Sequence, residues 1–556
     1  MAKKALLVWA LLLSILLCSC VLLSCGKQAS DDTTQGKGQG ELSGDICISA
    51  DYTIVYEQSI NSQATRLRKS VYDVCGKTPK FTSDASNEAD CEILIGDTGR
   101  AESSDFLGAL DEYSYGVRIV NNNGKTKIII AAKKKTYYAL AVELFTKEYL
   151  PEDKSDLRLK KTEETIMLNQ EDKLNDEILA AQPISWEGGN ILIDKGGYGR
   201  MCALPDGKLA FVYSGGAYIR FKTSSDDGKT WSEATNVIKL DTCPTGQAMT
   251  TANANIVVLK DGSYMVAFRA HTAGSSFDTF YSSIRYCISR DGGKTWSGDT
   301  IVAENTHVGP EFTGFWEPHM LYVKDGKLAM YYASDCIGGD AVGYPFVEDM
   351  EKQHIIVHLY DQTTERFGEP IIASNGNDHK SRDGMPVVCE LSDGSYAMVI
   401  ESSIMKGTHP FIIQMLFSED GINWSEPKNI WVPDGFDHYS GAPFIVTLPD
   451  GRIAVSFQGT EGSGSTLASN KVNNSEMNVI ISKSPVTYAD RDSIKQSNFE
   501  RVFFNPIQTQ ESQSFSIWPA MFVHKNKLYC TADLGYNTSP TARTTKRIYL
   551  RIGEIK

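Results

Sequence analysis

"LKDGSYMVAFR", residues 259–269, is a tight turn followed by an apolar strand, and the chain carries six versions of it. The others are "LPDGKLAFVYS" (204–214), "VKDGKLAMYYA" (323–333), "LSDGSYAMVIE" (391–401), "LPDGRIAVSFQ" (448–458) and "HKNKLYCTADL" (524–534). Five contain Asp-Gly, which between two apolar runs is the strongest short-range hairpin signal. The turn residues Asp206, Asp261, Asp325, Asp393, Asp450 and Asn526 stand 55, 64, 68, 57 and 76 residues apart. That is room for a four-stranded unit with variable loops, repeated six times. The spacing predicts an all-β, six-bladed β-propeller over residues 184–556. A sandwich would also be all-β, but nothing in it calls for six matched hairpins at this period.

The aligned repeats produce columns. Seven residues before the turn residue stand Pro318, Pro386, Pro443 and Pro519, with Gly199 and Ala254 in the other two repeats. Proline suits the first residue of a strand, where no ladder donor is needed. One residue earlier come Tyr198, Asn253, Glu317, Met385, Ala442 and Trp518; eight after the turn come Ser214, Arg269, Ala333, Glu401, Gln458 and Leu534. Equal offsets across a hairpin place these two columns level on adjacent strands, near one mouth of the central channel. Glu317 and Glu401 therefore project there from neighbouring blades. A glutamate ending an apolar strand, as in "AMVIE", is costly to bury without a role, and paired carboxyls are what glycoside hydrolysis requires. The alternative for either residue alone is a structural carboxylate held by Arg269 or a backbone amide.

Three acid-rich segments follow strands: "SSDDGKTWS" (224–232), "SRDGGKTWS" (289–297) and "SEDGINWS" (418–425). Their Asp and Ser are suited to bond nearby amides, their Gly to take a positive-φ position, and their Trp to pack on the blade. Asp226, Asp291 and Asp420 are expected at outer turns, away from the chemistry.

The chain's 556 residues are 41% apolar and 22% charged, with a net charge of −14. That balance argues against a nucleic-acid partner, which needs a basic surface. The start, "MAKKALLVWALLLSILLCSC", has the layout of an export signal, and Leu-Leu-Ser-Cys at 22–25 resembles the bacterial lipoprotein box. Residues 1–25 are expected to be a lipoprotein signal with Cys25 as the lipidated residue. The protein would then be exported and anchored at the cell surface or in the periplasm, touching the membrane only through its lipid. An ordinary signal peptide or an N-terminal membrane anchor is the alternative. Residues 26–44, rich in Gly, Ser, Gln and Asp, read as a flexible tether. Nine cysteines beyond Cys25 are widely spaced without a Cys-x-x-Cys pair, as buried free thiols would be. The nine histidines form no short-range ligand motif, so neither a metal nor a cofactor is expected.

Residues 45–168 mix strand signals ("YTIVYE", "CEILIGDT"), a hairpin ("YGVRIVNNNGKTKIIIAA") and helical spacing in 61–76 and 135–150. A small α/β domain is expected. Through "EILIGDTGR" and the following hairpin and helix it resembles the non-catalytic domain that precedes hexosaminidase and α-glucuronidase catalytic domains.

The three acid-rich segments resemble the Asp boxes of sialidase-like propellers. "GFWEPHML" (314–321), "SRDGMPVV" (381–388) with "YAMVIE", and "YSGAP" (439–443) resemble the family 93 glycoside hydrolases, the exo-arabinanases, over roughly residues 190–535. The resemblance implies a retaining exo-glycosidase acting on arabinan-type or related glycans. Glu317 would be the nucleophile and Glu401 the acid/base, or the reverse. Candidate substrate-binding residues are Arg200, Asn255, Arg269, Trp316, His319, Arg382, Asp383, Tyr439, Gln458 and Trp518. The insert at 335–352 departs from the family pattern. A sialidase is the other enzymatic reading, with a triad to be drawn from Arg200, Arg269, Arg382 and Arg543, although "GYGRMC" stands where that family carries Arg-Ile-Pro. A surface glycan-binding lipoprotein without turnover is the reading from another class.

Overall fold

The computed structural model describes residues 46–556 apart from 84–86, 123, 153, 275–278, 310–312, 338–344, 462–474, 503–504, 508–513 and 537–545. Cys25, the tether, Arg543 and part of the 335–352 insert lie outside the described residues. The chain divides into two units between Leu174 and Asn175.

The first unit is a six-stranded sheet in the order Lys80–Ser83, Thr53–Tyr56, Cys91–Ile95, Lys125–Ala132, Ser114–Asn122, Thr165–Leu168. Its first four strands are parallel, and the 114–132 hairpin is antiparallel as its Asn/Gly turn implies. The amphipathic helices Asn61–Cys75 and Tyr138–Glu148 bury Leu67, Val71, Val142 and Phe145 in one core with Ile93, Ile95 and Ile128. Phe106 of helix Ala101–Ala109 packs into a second core with Leu94 and Ile129. In "EILIGDTGR" the fully buried Glu92 is held by Arg100 at 3.0 Å. Both residues are thereby used structurally.

The second unit is a ring of six antiparallel sheets. Their innermost strands are Gly197–Ala203, Met249–Val258, Phe315–Val323, Asp383–Glu390, Ser440–Thr447 and Ser514–His524, one per aligned repeat. Each touches the next in chain order, and the last touches the first. Blade six takes its outer strand from the front of the unit. Ile184–Trp186 and Ile191–Lys195 pair with Arg547–Ile555, with Arg547 opposite Lys195 and Ile548 opposite Asp194. The ring is thus closed by strands from both ends of the unit.

Every innermost strand carries a β-bulge at the same place. Two residues, such as Glu317 and Pro318, face one on the partner strand, because Trp316 pairs with Ala333 while His319 pairs with Tyr331. The ladder shifts likewise at 198–199, 253–254, 385–386, 442–443 and 518–519. The first residue of each bulge, Tyr198, Asn253, Glu317, Met385, Ala442 or Trp518, has a positive φ between 39° and 61°. This corrects the placement of the prolines. Pro318, Pro386, Pro443 and Pro519 lie inside their strands, each second in a bulge, where the ladder is interrupted and no donor is missed. A bulge also re-aims its side chain. Here it turns six side chains toward the channel.

The Asp boxes lie between the third and fourth strands of blades one, two and four. Asp226 accepts the Thr230 amide at 2.9 Å and the Thr230 hydroxyl at 2.6 Å, and the Ser224 hydroxyl accepts the Gly228 amide at 2.9 Å. Asp291 and Ser289 repeat the arrangement with Thr295 and Gly293. The box tryptophans reach across blades in two cases: Trp296 meets Phe221 of blade one edge-on at 5.6 Å, and Trp424 meets Tyr331 of blade three at 6.0 Å. Each of these boxes therefore staples its blade to the preceding one.

Gly293 makes that staple possible: its φ is 83°, and a Cβ there would stand 2.5 Å from the Phe221 ring. Gly292, at φ 76°, has open space around it. Gly293→Ala should destabilise the protein by about 2 kcal/mol more than Gly292→Ala, since both strain the backbone but one also overpacks the blade contact. Chemical denaturation of both variants measures the difference. Equal losses would show that the contact contributes nothing.

Candidate active site

Four bulge residues, Tyr198, Asn253, Glu317 and Trp518, line a cavity of about 660 Å³ at the channel mouth. Arg269, Trp316 and Arg382 complete its wall on the Glu317 side, and Lys195 and Lys546 stand in its lining as well. The other two bulge residues, Met385 and Ala442, pack with Tyr198 and Trp518. The Asp-box carboxylates are absent from the cavity lining among the described residues.

Strand pairing explains how each polar group is aimed. In three blades the residue opposite the start of the bulge, on the second strand, addresses the next blade. The Glu401 Oε2 accepts the Ala442 amide at 2.8 Å, the Gln458 Oε1 accepts the Trp518 amide at 2.8 Å, and the Asp533 carboxylate accepts the Tyr198 amide at 3.0 Å. Three blades thus clamp the bulged amide of their successor. Arg269 occupies the same place in blade two, pairing with Ala252. It cannot accept a hydrogen bond, and its charge instead acts on the Glu317 carboxyl of blade three.

Glu401 fits only because its neighbour in blade five is glycine: a Cβ on Gly441 would stand 2.8 Å from Oε2. Its second oxygen faces Arg382 at 3.7 Å, and Arg382 in turn reaches Asp335 at 3.9 Å. Asp335 accepts the Trp316 indole N–H at 2.9 Å and the Gly314 amide at 2.6 Å. Arg269 lies over the Trp316 ring, 4.6 Å from its centroid, and donates from Nη2 to His271 Nε2 at 3.1 Å. The His271 Nδ1 donates to the Thr272 carbonyl at 2.8 Å. Burial and the adjacent Arg269 charge hold that imidazole down to about 4, so it is a neutral acceptor.

The carboxyls of this site are displaced upward. Burial pushes Glu317 up to about 7, against the pull of Arg269 and with the push of Glu401. Burial raises Glu401 too, opposed by Arg382 and the Ala442 amide, and it raises Asp335 against Arg382. Buried Asp533 is pushed up to about 7 against the pull of Lys546. Burial thus favours the protonated form of each of these carboxyls.

No family model and no curated protein sequence matches the chain. Solved structures resemble it at low identity. The α-L-arabinanase of Penicillium chrysogenum in complex with arabinobiose is 17% identical, with 66% of this chain and 98% of that one covered at a TM-score of 0.45. For the GH93 α-L-arabinofuranosidase of Fusarium graminearum with arabinobiose the values are 16%, 66%, 98% and 0.44. The NanB sialidase of Streptococcus pneumoniae is 11% identical, covering 72% of this chain and 75% of that one at 0.44.

Of the expected residues, the structure brings Glu317, Arg269, Trp316, Arg382 and Trp518 to the cavity wall, with Glu401 just behind Arg382. Six others do not line it. Arg200 stacks on Tyr198 at 3.7 Å and donates to the Gly199 carbonyl. Asn255 accepts the Met320 amide, and His319 bonds the Val388 carbonyl at 3.0 Å. Asp383 is fully buried against Ser374 and His379. Tyr439 and Gln458 bond each other, with Tyr439 also on Ser475. For Arg200, Asn255 and His319 the reason is the bulge: residues just beyond it return to the ladder. His379 and His438 are likewise engaged, with Asp383 and Thr460.

Sequence reasoning missed Asp335, Asp533 and Lys546. Asp533 escaped because blade six turns tightly, His524 pairing with Lys527, so Asp533 and not Leu534 holds the clamp position. An alignment anchored on the strand end and not the turn would have found it.

The displaced carboxyls imply a pH effect on stability. Between its usual value near 4.5 and about 7, folded Glu317 keeps a proton that the unfolded chain has lost. Stability should therefore fall as pH rises across that window, the loss being complete above it. Asp533 should contribute similarly from near 3.8 to about 7. Glu317→Gln and Asp533→Asn should each flatten the fall in thermal midpoint between pH 5 and 8. A slope unchanged in both variants would contradict the assignment.

Proposed function

We propose that this protein is a glycoside hydrolase that cleaves from the end of a carbohydrate chain with retention of configuration, with Glu317 and Glu401 as its carboxyl pair. The observation that carries the proposal is the Glu317 carboxyl on the wall of the channel-mouth cavity, pushed up to about 7 by burial, with the buried Glu401 carboxyl acting on it.

In this reading Glu317, which opens on the cavity, attacks the anomeric carbon as a carboxylate. Glu401 gives its proton to the glycosidic oxygen as the C–O bond breaks, and the leaving chain departs as an alcohol. Glu401 then takes a proton from water, whose oxygen displaces Glu317 and releases the sugar. Arg269 and Arg382 stabilise the ionised forms, and Trp316 and Trp518 provide ring faces for the sugar. The Leu-Leu-Ser-Cys end of the N-terminal apolar run supports an exported, lipid-anchored enzyme.

Gln458 supplies a built-in control. It performs the amide clamp of blade five with a carboxamide, so Glu401→Gln can keep the clamp while it removes the titratable group and the carboxylate oxygen facing Arg382. Glu401→Gln and Glu317→Gln should each lower kcat by about 10³-fold or more with folding intact, comparable to or above the usual contribution of a general acid. Activity on aryl glycosides and linear arabinan, with circular dichroism, measures this. Azide should give the retained-configuration glycosyl azide with the Glu401 variant and the inverted one with a Glu317→Gly variant. The opposite pattern exchanges the roles, and undiminished turnover in both glutamine variants removes the proposal.

A further inference from the structure

The cavity has a cationic wall that the cleavage reaction leaves unused. Lys195 ends the strand Ile191–Lys195, and Lys546 immediately precedes its partner Arg547–Ile555. The Gly196 amide donates to the Lys546 carbonyl at 3.0 Å, which fixes the two lysines beside each other. Both line the cavity. The Lys546 Nζ stands 3.5 Å from the centroid of the Trp518 ring. Lys195 is exposed, and no carboxylate among the described residues lies within ion-pair distance of its Nζ.

The charge balance of the lining points the same way. Among the described residues, Lys195, Lys546, Arg269 and Arg382 line the cavity, against a single lining carboxyl, Glu317. Glu401, Asp335 and Asp533 are not among the lining residues, and burial raises all four carboxyls. In a chain with a net charge of −14, this cavity is a positive site in a negative background. Such a concave site draws in and retains anions.

We propose that Lys195 and Lys546, beside the Trp518 ring, form a subsite for an anionic sugar unit, bearing a uronate carboxylate or a sulfate ester, in the chain that enters the cavity. The inference rests on reading the cavity as a carbohydrate site. It sets the substrate apart from arabinan, a neutral polymer with no group for two ammonium ions.

The test is calorimetric titration of the full chain in the Glu317→Gln background with matched oligosaccharide pairs: galacturonate against galactose trisaccharides, glucuronate-ended against glucose-ended disaccharides, and a sulfated against an unsulfated disaccharide. At least one anionic member should bind ten-fold or more tightly than its neutral match. The preference should shrink between 0.05 and 0.5 M salt and disappear in a Lys195→Gln/Lys546→Gln double variant of unchanged thermal midpoint. Whether the preferred member is uronate or sulfate names the source of the charge. No preference in any pair, or one that survives the double substitution, overturns the subsite. The two readings fail separately: cleavage of neutral glycosides without a charge preference removes the subsite and leaves the hydrolase. Lysine-dependent anion binding with no hydrolysis of any substrate does the reverse.

Discussion

A hydrogen bond from a bulged backbone amide to a side chain of the preceding blade recurs at three of the six blade junctions, and the site is built on it. A β-bulge leaves an amide out of its ladder, and a buried orphan donor costs roughly 1–3 kcal/mol. The oxygens of Glu401, Gln458 and Asp533 take up the amides of Ala442, Trp518 and Tyr198. Each bond joins two blades. Each also stabilises a non-glycyl residue at positive φ, a conformation that persists only where the surroundings hold it. Without the bulges, the side chains of Tyr198, Asn253, Glu317 and Trp518 would follow the ordinary alternation of a strand, and the mouth would lose its lining.

The same device explains why catalytic and structural readings of Glu401 are compatible. One carboxylate oxygen serves the fold and the other faces Arg382. A carboxamide suffices for the clamp in blade five, so the clamp itself has no need of a titratable group. What a carboxylic acid adds in blade four is a titratable group, raised by burial. Arg269 shows the converse: at the clamp position of blade two it gives up the amide bond, and its charge acts on the Glu317 carboxyl instead.

Charge is arranged in layers around the cavity. The cations line the wall, most of the carboxyls do not, and burial raises the carboxyls. A formal count of four against four would call the site neutral. Position sets them apart: four cations line the wall, and of the four carboxyls only Glu317 does so among the described residues.

The repeat period, the hairpin turns and the Asp boxes were all legible in the sequence, because each is a local signal: Asp-Gly sets a turn, and alternation sets a strand. Glu317 and Glu401 were legible because offsets from a turn survive folding when the hairpins match. Where they do not match, as in the shorter turn of blade six, the column slipped by one residue and Asp533 was lost. The prolines were seen, but their place inside a bulge was not, since a bulge is defined by the partner strand. Lys195 and Lys546 lie 351 positions apart and become neighbours only when the two ends of the unit pair to close the ring. Sequence alone determined the blades and which residues approach the mouth. Tertiary structure alone decided which of them face the cavity, because that depends on interblade hydrogen bonds and ring closure, which no local pattern records.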